Sequence, residues 1–154
     1  YNIMYNMIIQ GTTSQKLLDY VSRVYNHLGL DEFEECLFEL DFTPRCMGGA
    51  GGYCNGDEEE VQVEIARSDE VGRIPMKDLM INIAHELVHA KQMASGRLVN
   101  NGFVLRTNDA GEQCMTSKQT FDGVEYIGVA YNDHPWEHEA YGTEEEIYLA
   151  CIDN

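Results

Sequence analysis

The chain has 154 residues, 44% of them hydrophobic, which suits one domain with a real core. Its 27 acidic and 10 basic side chains leave a formal net charge of −17. That balance argues against a nucleic-acid partner, whose phosphates need neutralising, and against docking on an anionic membrane. No apolar run approaches the roughly 18 residues of a membrane span, and no basic leader precedes an apolar stretch at the start.

Residues 3–9 (IMYNMII) read as a short strand or an extended arm. Thr12 and Thr13 then cap a helix, SQKLLDYVSRVYNHL, whose Leu17, Leu18, Val21, Val24, Tyr25 and Leu28 form one apolar stripe before Gly29 ends it. His27 on this helix has no neighbour of metal-binding type and reads as a surface residue. Strands follow at Cys36–Phe42 and Glu60–Arg67. In the second, Val61, Val63 and Ile65 alternate with Gln62 and Glu64 in the period of two of a half-buried strand. The glycine-rich, acidic stretch between them reads as a long hairpin connection. It lacks the GK[ST] ending of a phosphate loop, and its carboxylates would repel phosphate.

The next helix spans roughly 76–95. Pro75 suits its first turn, Leu79, Ile83, Leu87, Ala90 and Ala94 recur at helical steps, and Gly96 is its stop. It carries HELVH. His85 and His89 are four residues apart and share one face, about 5–6 Å apart at Cβ. Two imidazoles so placed can close on one Zn²⁺, with Glu86 beside them as general base on a metal-activated water. The bland alternative is an amphipathic helix with two solvated histidines. Asn82 and Gln92, three residues either side of the pair, are candidates to orient the imidazoles, with Glu137 a weaker one.

Between Gly96 and Asp133, β-like pieces occur at Phe103–Arg106, Thr120-Phe121 and Val124–Tyr131, with Asp122-Gly123 as a hairpin turn. This β-hairpin insertion, 97–133, is expected to cover or wall the site. A last helix begins near Asp133, with Pro135 in its first turn and Trp136, Ala140, Thr143, Ile147 and Cys151 as its buried stripe. A catalytic zinc usually takes three protein ligands, and His134, Glu137, His138 and Glu139 all compete for the third place. Glu139, at the edge of the apolar stripe, is the expected ligand. Cys36, Cys46, Cys54, Cys114 and Cys151 are odd in number and contain no CxxC, which fits free thiols in a reducing compartment. Cys46 and Cys54 could pair or hold a second metal, but their spacing matches no standard zinc template.

HELVH followed by a helix with Trp136, Glu139 and Ala140 resembles the gluzincin metallopeptidases, in which the ligand glutamate commonly precedes a small residue. HELVHAKQ with the later DHPWEHEAYG is also similar to a family of small phage- and virus-encoded proteins reading HExVHxKQ…PWExEA. The likeness covers roughly residues 36–145. It implies an α+β, minimal zincin-like domain over 1–154, with its core about 14–152. The expected parts are an N-terminal helix, a small, mostly antiparallel sheet, an active-site helix, the hairpin insertion and a C-terminal ligand-bearing helix. The implied activity is zinc-dependent peptide hydrolysis with Glu86 as base and His85, His89 and Glu139 on Zn²⁺. A peptide or protein is the implied substrate, bound along an edge strand such as Val61–Arg67. Tyr131 and Tyr141 are positional candidates for stabilising the oxyanion. The implied setting is the host cytoplasm or a virion, with phage or virus assembly partners. Two alternatives stand beside this reading: a structural assembly protein that keeps a metal-binding zincin fold, and an SprT-like site with His134 or His138 as third ligand.

Overall fold

The computed structural model describes residues 2–46 and 49–152. Its elements in chain order are β1 (Asn2–Met4), β2 (Met7–Gln10), α1 (Gln15–Leu28), β3 (Leu37–Thr43), β4 (Gly52–Gly56) and β5 (Glu60–Ala66). Then come α2 (Met76–Ala94), β6 (Leu98–Thr107), β7 (Gln113–Phe121), β8 (Val124–Ile127) and α3 (Pro135–Cys151). This is an α+β fold with two sheets. The first has the order β1-β2-β3-β5-β4 and the second the order β6-β7-β8. The pairings β2–β3 and β3–β5 are parallel, and every other described pairing is antiparallel. No described helix is long and apolar enough to cross a membrane.

The N-terminal segment is a two-stranded hairpin. At its turn, the buried Asn6 donates to the backbone carbonyls of Leu30 and Phe33, and Tyr25 donates to the Asn6 side-chain oxygen. The hairpin is thereby tied to the end of α1. The cap of α1 is Ser14, not the two threonines: its hydroxyl accepts from Leu17 N–H, and Thr12 accepts from Ser14 N–H one step outside. Gly29 closes the helix at φ 69°, a left-handed conformation that suits glycine.

Burial alternates along β3 and β5. Phe38, Leu40, Phe42, Val61, Val63 and Ile65 are buried, while the residues between them are less so, as in a sheet covered on one face. Helix α2 lies against β4 and β5 and packs on α1 and α3. Tyr20, fully buried, donates to the Met80 carbonyl at 2.7 Å and locks α1 onto α2.

Two expectations are corrected. The segment after β3 is not a hairpin connection, because β3 and β5 run parallel, with Leu37 opposite Glu60. It is a crossover that carries β4 and turns back at Asp57, whose carboxylate accepts from Glu59 and Glu60 N–H. The edge of the sheet beside α2 is consequently β4. The strand expected there, Val61–Arg67, pairs on both sides as β5.

The insertion forms the second sheet, a three-stranded meander. Asp122 (φ 50°) and Gly123 (φ 80°) make the tight turn between β7 and β8, as the dipeptide indicates. Strand β8 ends at Ile127, short of Tyr131, which begins a 3₁₀ turn leading to Pro135. Leu98, Phe121 and Trp136 bury the root of this sheet in the same apolar cluster as the rest of the core.

Candidate metal centre

Helix α2 carries His85, Glu86 and His89 on its buried face, with exposures of 9, 7 and 5%. The side chain that meets the two histidines from α3 is Glu137, not Glu139. Glu137 Oε1 lies 3.0 Å from His85 Nε2 and 2.9 Å from His89 Nε2, and the two Nε2 atoms are 3.2 Å apart. His85, His89 and Glu137 thus form a group that could hold a metal ion.

Glu139 points to the other flank of α3. Its Oε1 accepts from Arg97 Nη1 at 2.9 Å and from Gln92 Nε2 at 3.0 Å, and its Oε2 accepts from Arg97 Nη2 at 2.8 Å. The histidines expected as alternative ligands are turned away too. His134 donates through Nε2 to the Val129 carbonyl at 2.8 Å and stacks on Trp136, and His138 donates to the Asn132 carbonyl. His27 is exposed, as its isolation in the sequence indicates.

The hydrogen bonds behind the imidazoles fix their tautomers. His85 Nδ1 faces Glu144 Oε2 at 2.7 Å, and a carboxylate there accepts a hydrogen bond from the ring N–H. His89 Nδ1 faces Gln92 Oε1 at 2.8 Å. That end of the amide is the oxygen, because the other end donates to Trp136 O and Glu139 Oε1, both acceptors. With a metal ion in place, both Nδ1 atoms would carry hydrogen and both Nε2 lone pairs would point inward beside Glu137 Oε1. Three lone-pair atoms facing one another need a cation among them, either protons on the rings or a metal ion. Bonds of about 2.0–2.1 Å at a tetrahedral ion place its ligand atoms about 3.3–3.4 Å apart, close to the separations seen.

The charges reflect this arrangement. Burial pushes Glu137 up, but hydrogen bonds to His85 and His89 outweigh it and hold the carboxyl well below its usual range. Burial pushes both histidines down, and the facing Glu137 carboxylate reverses that and raises them. Glu86 is raised by burial, against a smaller opposing pull from the two histidines.

Of the two amides expected to orient the imidazoles, Gln92 does so, whereas Asn82 packs against the loop before β4, close to Gly51. Glu144 was not anticipated. It lies seven residues, two helical turns, after Glu137 and so on the same side of α3, a spacing visible in the sequence. The Tyr141 ring packs on His85 with centroids 4.5 Å apart, and its hydroxyl is 3.0 Å from that of Tyr131.

In front of the histidines lies a cleft of about 390 Å³. Its walls include Gly52 and Cys54 of β4, Glu86 and Met93 of α2, Leu98 of β6, and Tyr131. All five cysteines are free, so Cys46 and Cys54 form no disulfide. The chain matches no protein-family model and no curated protein.

Proposed function

We propose that the chain is a metal-dependent peptidase, with zinc held by His85, His89 and Glu137 and with Glu86 as general base. The observation that carries this reading is the convergence of three lone-pair atoms beside a buried carboxylate that is itself not one of them. Two neutral imidazoles and one carboxylate suit zinc, and three protein ligands leave a coordination position open, as catalytic sites do. A structural site would more commonly fill all four positions with protein atoms. The ion, when bound, supplies Lewis acidity that polarises a carbonyl and eases deprotonation of water.

The remaining steps belong to the protein. Among the described residues no side chain or backbone group hydrogen-bonds the Glu86 carboxylate, which faces the cleft. Glu86 takes the proton of the attacking water and passes it to the departing amine, and burial raises its pKa toward the range that such a shuttle needs. The free edge of β4 accepts an extended peptide by strand addition, in the place first expected for β5. Tyr131, rather than Tyr141, lines the cleft. The residue is half exposed, but desolvation of its hydroxyl end, foremost, and the Tyr141 hydroxyl beside it raise its pKa, so the hydroxyl stays protonated and can donate to a developing oxyanion.

The test is metal content together with cleavage. Wild-type protein should take up one zinc per chain and hydrolyse unfolded casein-like substrates. Glu86→Gln should keep the zinc and lose on the order of 10²–10⁴ in rate, the contribution of a positioned general base. A wild type that takes up no metal on titration defeats the reading. Full zinc with no cleavage across a broad peptide library would favour the structural, assembly-protein alternative.

A further inference from the structure

Behind His89 runs a chain of hydrogen bonds that ends in the second sheet. His89 Nδ1 donates to Gln92 Oε1, Gln92 Nε2 donates to Glu139 Oε1, and Arg97 grips both Glu139 oxygens at 2.9 and 2.8 Å. Arg97 grips Asp122, at the β7–β8 turn, with Nε at 2.8 Å and Nη2 at 3.1 Å. Gln92 is 1% exposed, so its amide has no water to exchange with.

We infer that Gln92, Glu139 and Arg97 are positioning residues that set the tautomer of His89, so that its Nε2 lone pair is presented to the metal. The consequence for metal rests on the function proposed above; the control of the tautomer does not.

An amide can rotate by half a turn at little steric cost, and in that state Gln92 would offer N–H groups to His89 Nδ1. The ring would then have to carry its hydrogen on Nε2, where it blocks coordination. What opposes the rotation is the pair of acceptors at the other end, Trp136 O at 3.1 Å and Glu139 Oε1 at 3.0 Å. The Trp136 carbonyl is fixed by its helix. The Glu139 carboxylate is a long side chain with other rotamers, and the fork of Arg97, anchored in turn by Asp122, holds it in the one that faces Gln92. Glu139 thus acts two hydrogen bonds behind His89, as an acceptor.

The test reads the tautomer directly, by the ¹⁵N shifts of the His89 ring in metal-free protein at about pH 9, where imidazole is ordinarily neutral. That protein carries Glu137→Ala, which removes the carboxylate that otherwise draws a proton to Nε2. Zinc affinity is measured in parallel with Glu137 in place. With Gln92, Glu139 and Arg97 intact, the hydrogen should lie on Nδ1. Gln92→Leu should shift it to Nε2 and weaken zinc binding about 10–100-fold, the usual effect of losing a partner of a ligand histidine. Glu139→Ala and Arg97→Ala should populate the Nε2–H form in part and weaken zinc by a smaller factor, because Trp136 O still holds the amide. The pair Gln92→Glu with Glu139→Gln exchanges acceptor and donor between those two side chains, keeps an acceptor on His89 Nδ1, and should keep the Nδ1–H form. Circular dichroism identifies any variant that has simply failed to fold, in which case the exchanged pair and Arg97→Ala decide.

If Gln92→Leu keeps the Nδ1–H form and zinc affinity within about two-fold, the inference is overturned. It is equally overturned if Glu139→Ala loses zinc while the His89 tautomer stays put, since Glu139 would then act on the metal itself. A wild type without metal affinity would defeat the peptidase reading and leave the tautomer measurement to decide this one.

Discussion

A methyl group added to Gly52 tests the role of Glu86 without touching the metal group. Gly52 sits at the start of edge strand β4, where a Cβ would stand 2.6 Å from Glu86 Cγ, 2.9 Å from Oε2 and 3.1 Å from Cδ. Its backbone φ lies outside the left-handed region, so alanine is acceptable to the main chain and the whole effect is steric. Carbon atoms pack best at about 3.5–4.0 Å, so the carboxylate must retreat by roughly 1 Å. A misplacement of that size costs on the order of 10² in rate, or about 2.7 kcal/mol of barrier. Glu86 is otherwise buried, 7% exposed, so the retreat can only be into the cleft it faces. Overpacking also costs about 1–3 kcal/mol of stability, so a thermal melt accompanies the assay. The expected result is full zinc content, a folded protein at the assay temperature and peptide cleavage down about 100-fold. Gly51→Ala is the control: its Cβ meets the Asn82 amide, which lies a turn away from the base, and cleavage should change little. Gly52→Ala protein that cleaves within a few-fold of wild type, while Glu86→Gln is inactive, refutes the claim that the edge strand holds the base in place.

Three further outcomes follow from the structure. Glu137→Ala should weaken zinc binding by more than the roughly 10–100-fold expected of an outer partner, while His138→Ala, whose ring serves a backbone carbonyl, keeps it; isothermal titration separates them, and equal loss in both would remove Glu137 from the site. Burial pushes the Cys36 thiol up to about 11, so native protein at about pH 8 should label readily at exposed Cys114 and not at Cys36. Because the folded value lies above the unfolded one of about 8.5, the stability held by neutral Cys36 is intact below that pH and is lost as pH rises toward about 11. Denaturant melts read the trend, and Cys36→Ser protein should show a flatter alkaline limb.

The helices were legible because their ends are written in the sequence. Pro135 opens α3 and Gly96, at φ 77°, follows α2, as their positions indicate. The choice between Glu137 and Glu139 was not legible, for a geometric reason. At about 100° per residue, Glu137 lies roughly 100° to one side of Trp136 and Glu139 roughly 60° to the other. Both therefore flank the buried stripe. Which flank faces the histidines depends on how α3 crosses α2, which no local pattern encodes. The nearer angle to Trp136 favoured Glu139, and the residue proved to face Arg97 instead. Strand β4 was missed because Gly52–Gly56 has two glycines, an asparagine and no alternation of apolar with polar residues to read, and pairing with β5 makes it a strand.

The long separation between HELVH and its partner glutamate has a structural use. The chain leaves α2 at Gly96, enters β6 immediately after Arg97, and returns through the Asp122 turn and β8 to Pro135. The side chains at the root of that meander all bear on α3. Phe121 and Tyr126 pack on Trp136 with ring centroids 5.9 and 5.6 Å apart, and Arg97 clamps Glu139. These contacts act on the first turn of α3, the turn that carries Glu137. The far end of the hairpin is different: Phe103, Leu105 and Met115 are all more than half exposed and touch none of this. The insertion therefore works through its root, fixing the pitch and rotation of α3 so that Glu137, on one flank, meets the histidines while Glu139, on the other, holds the amide behind one of them.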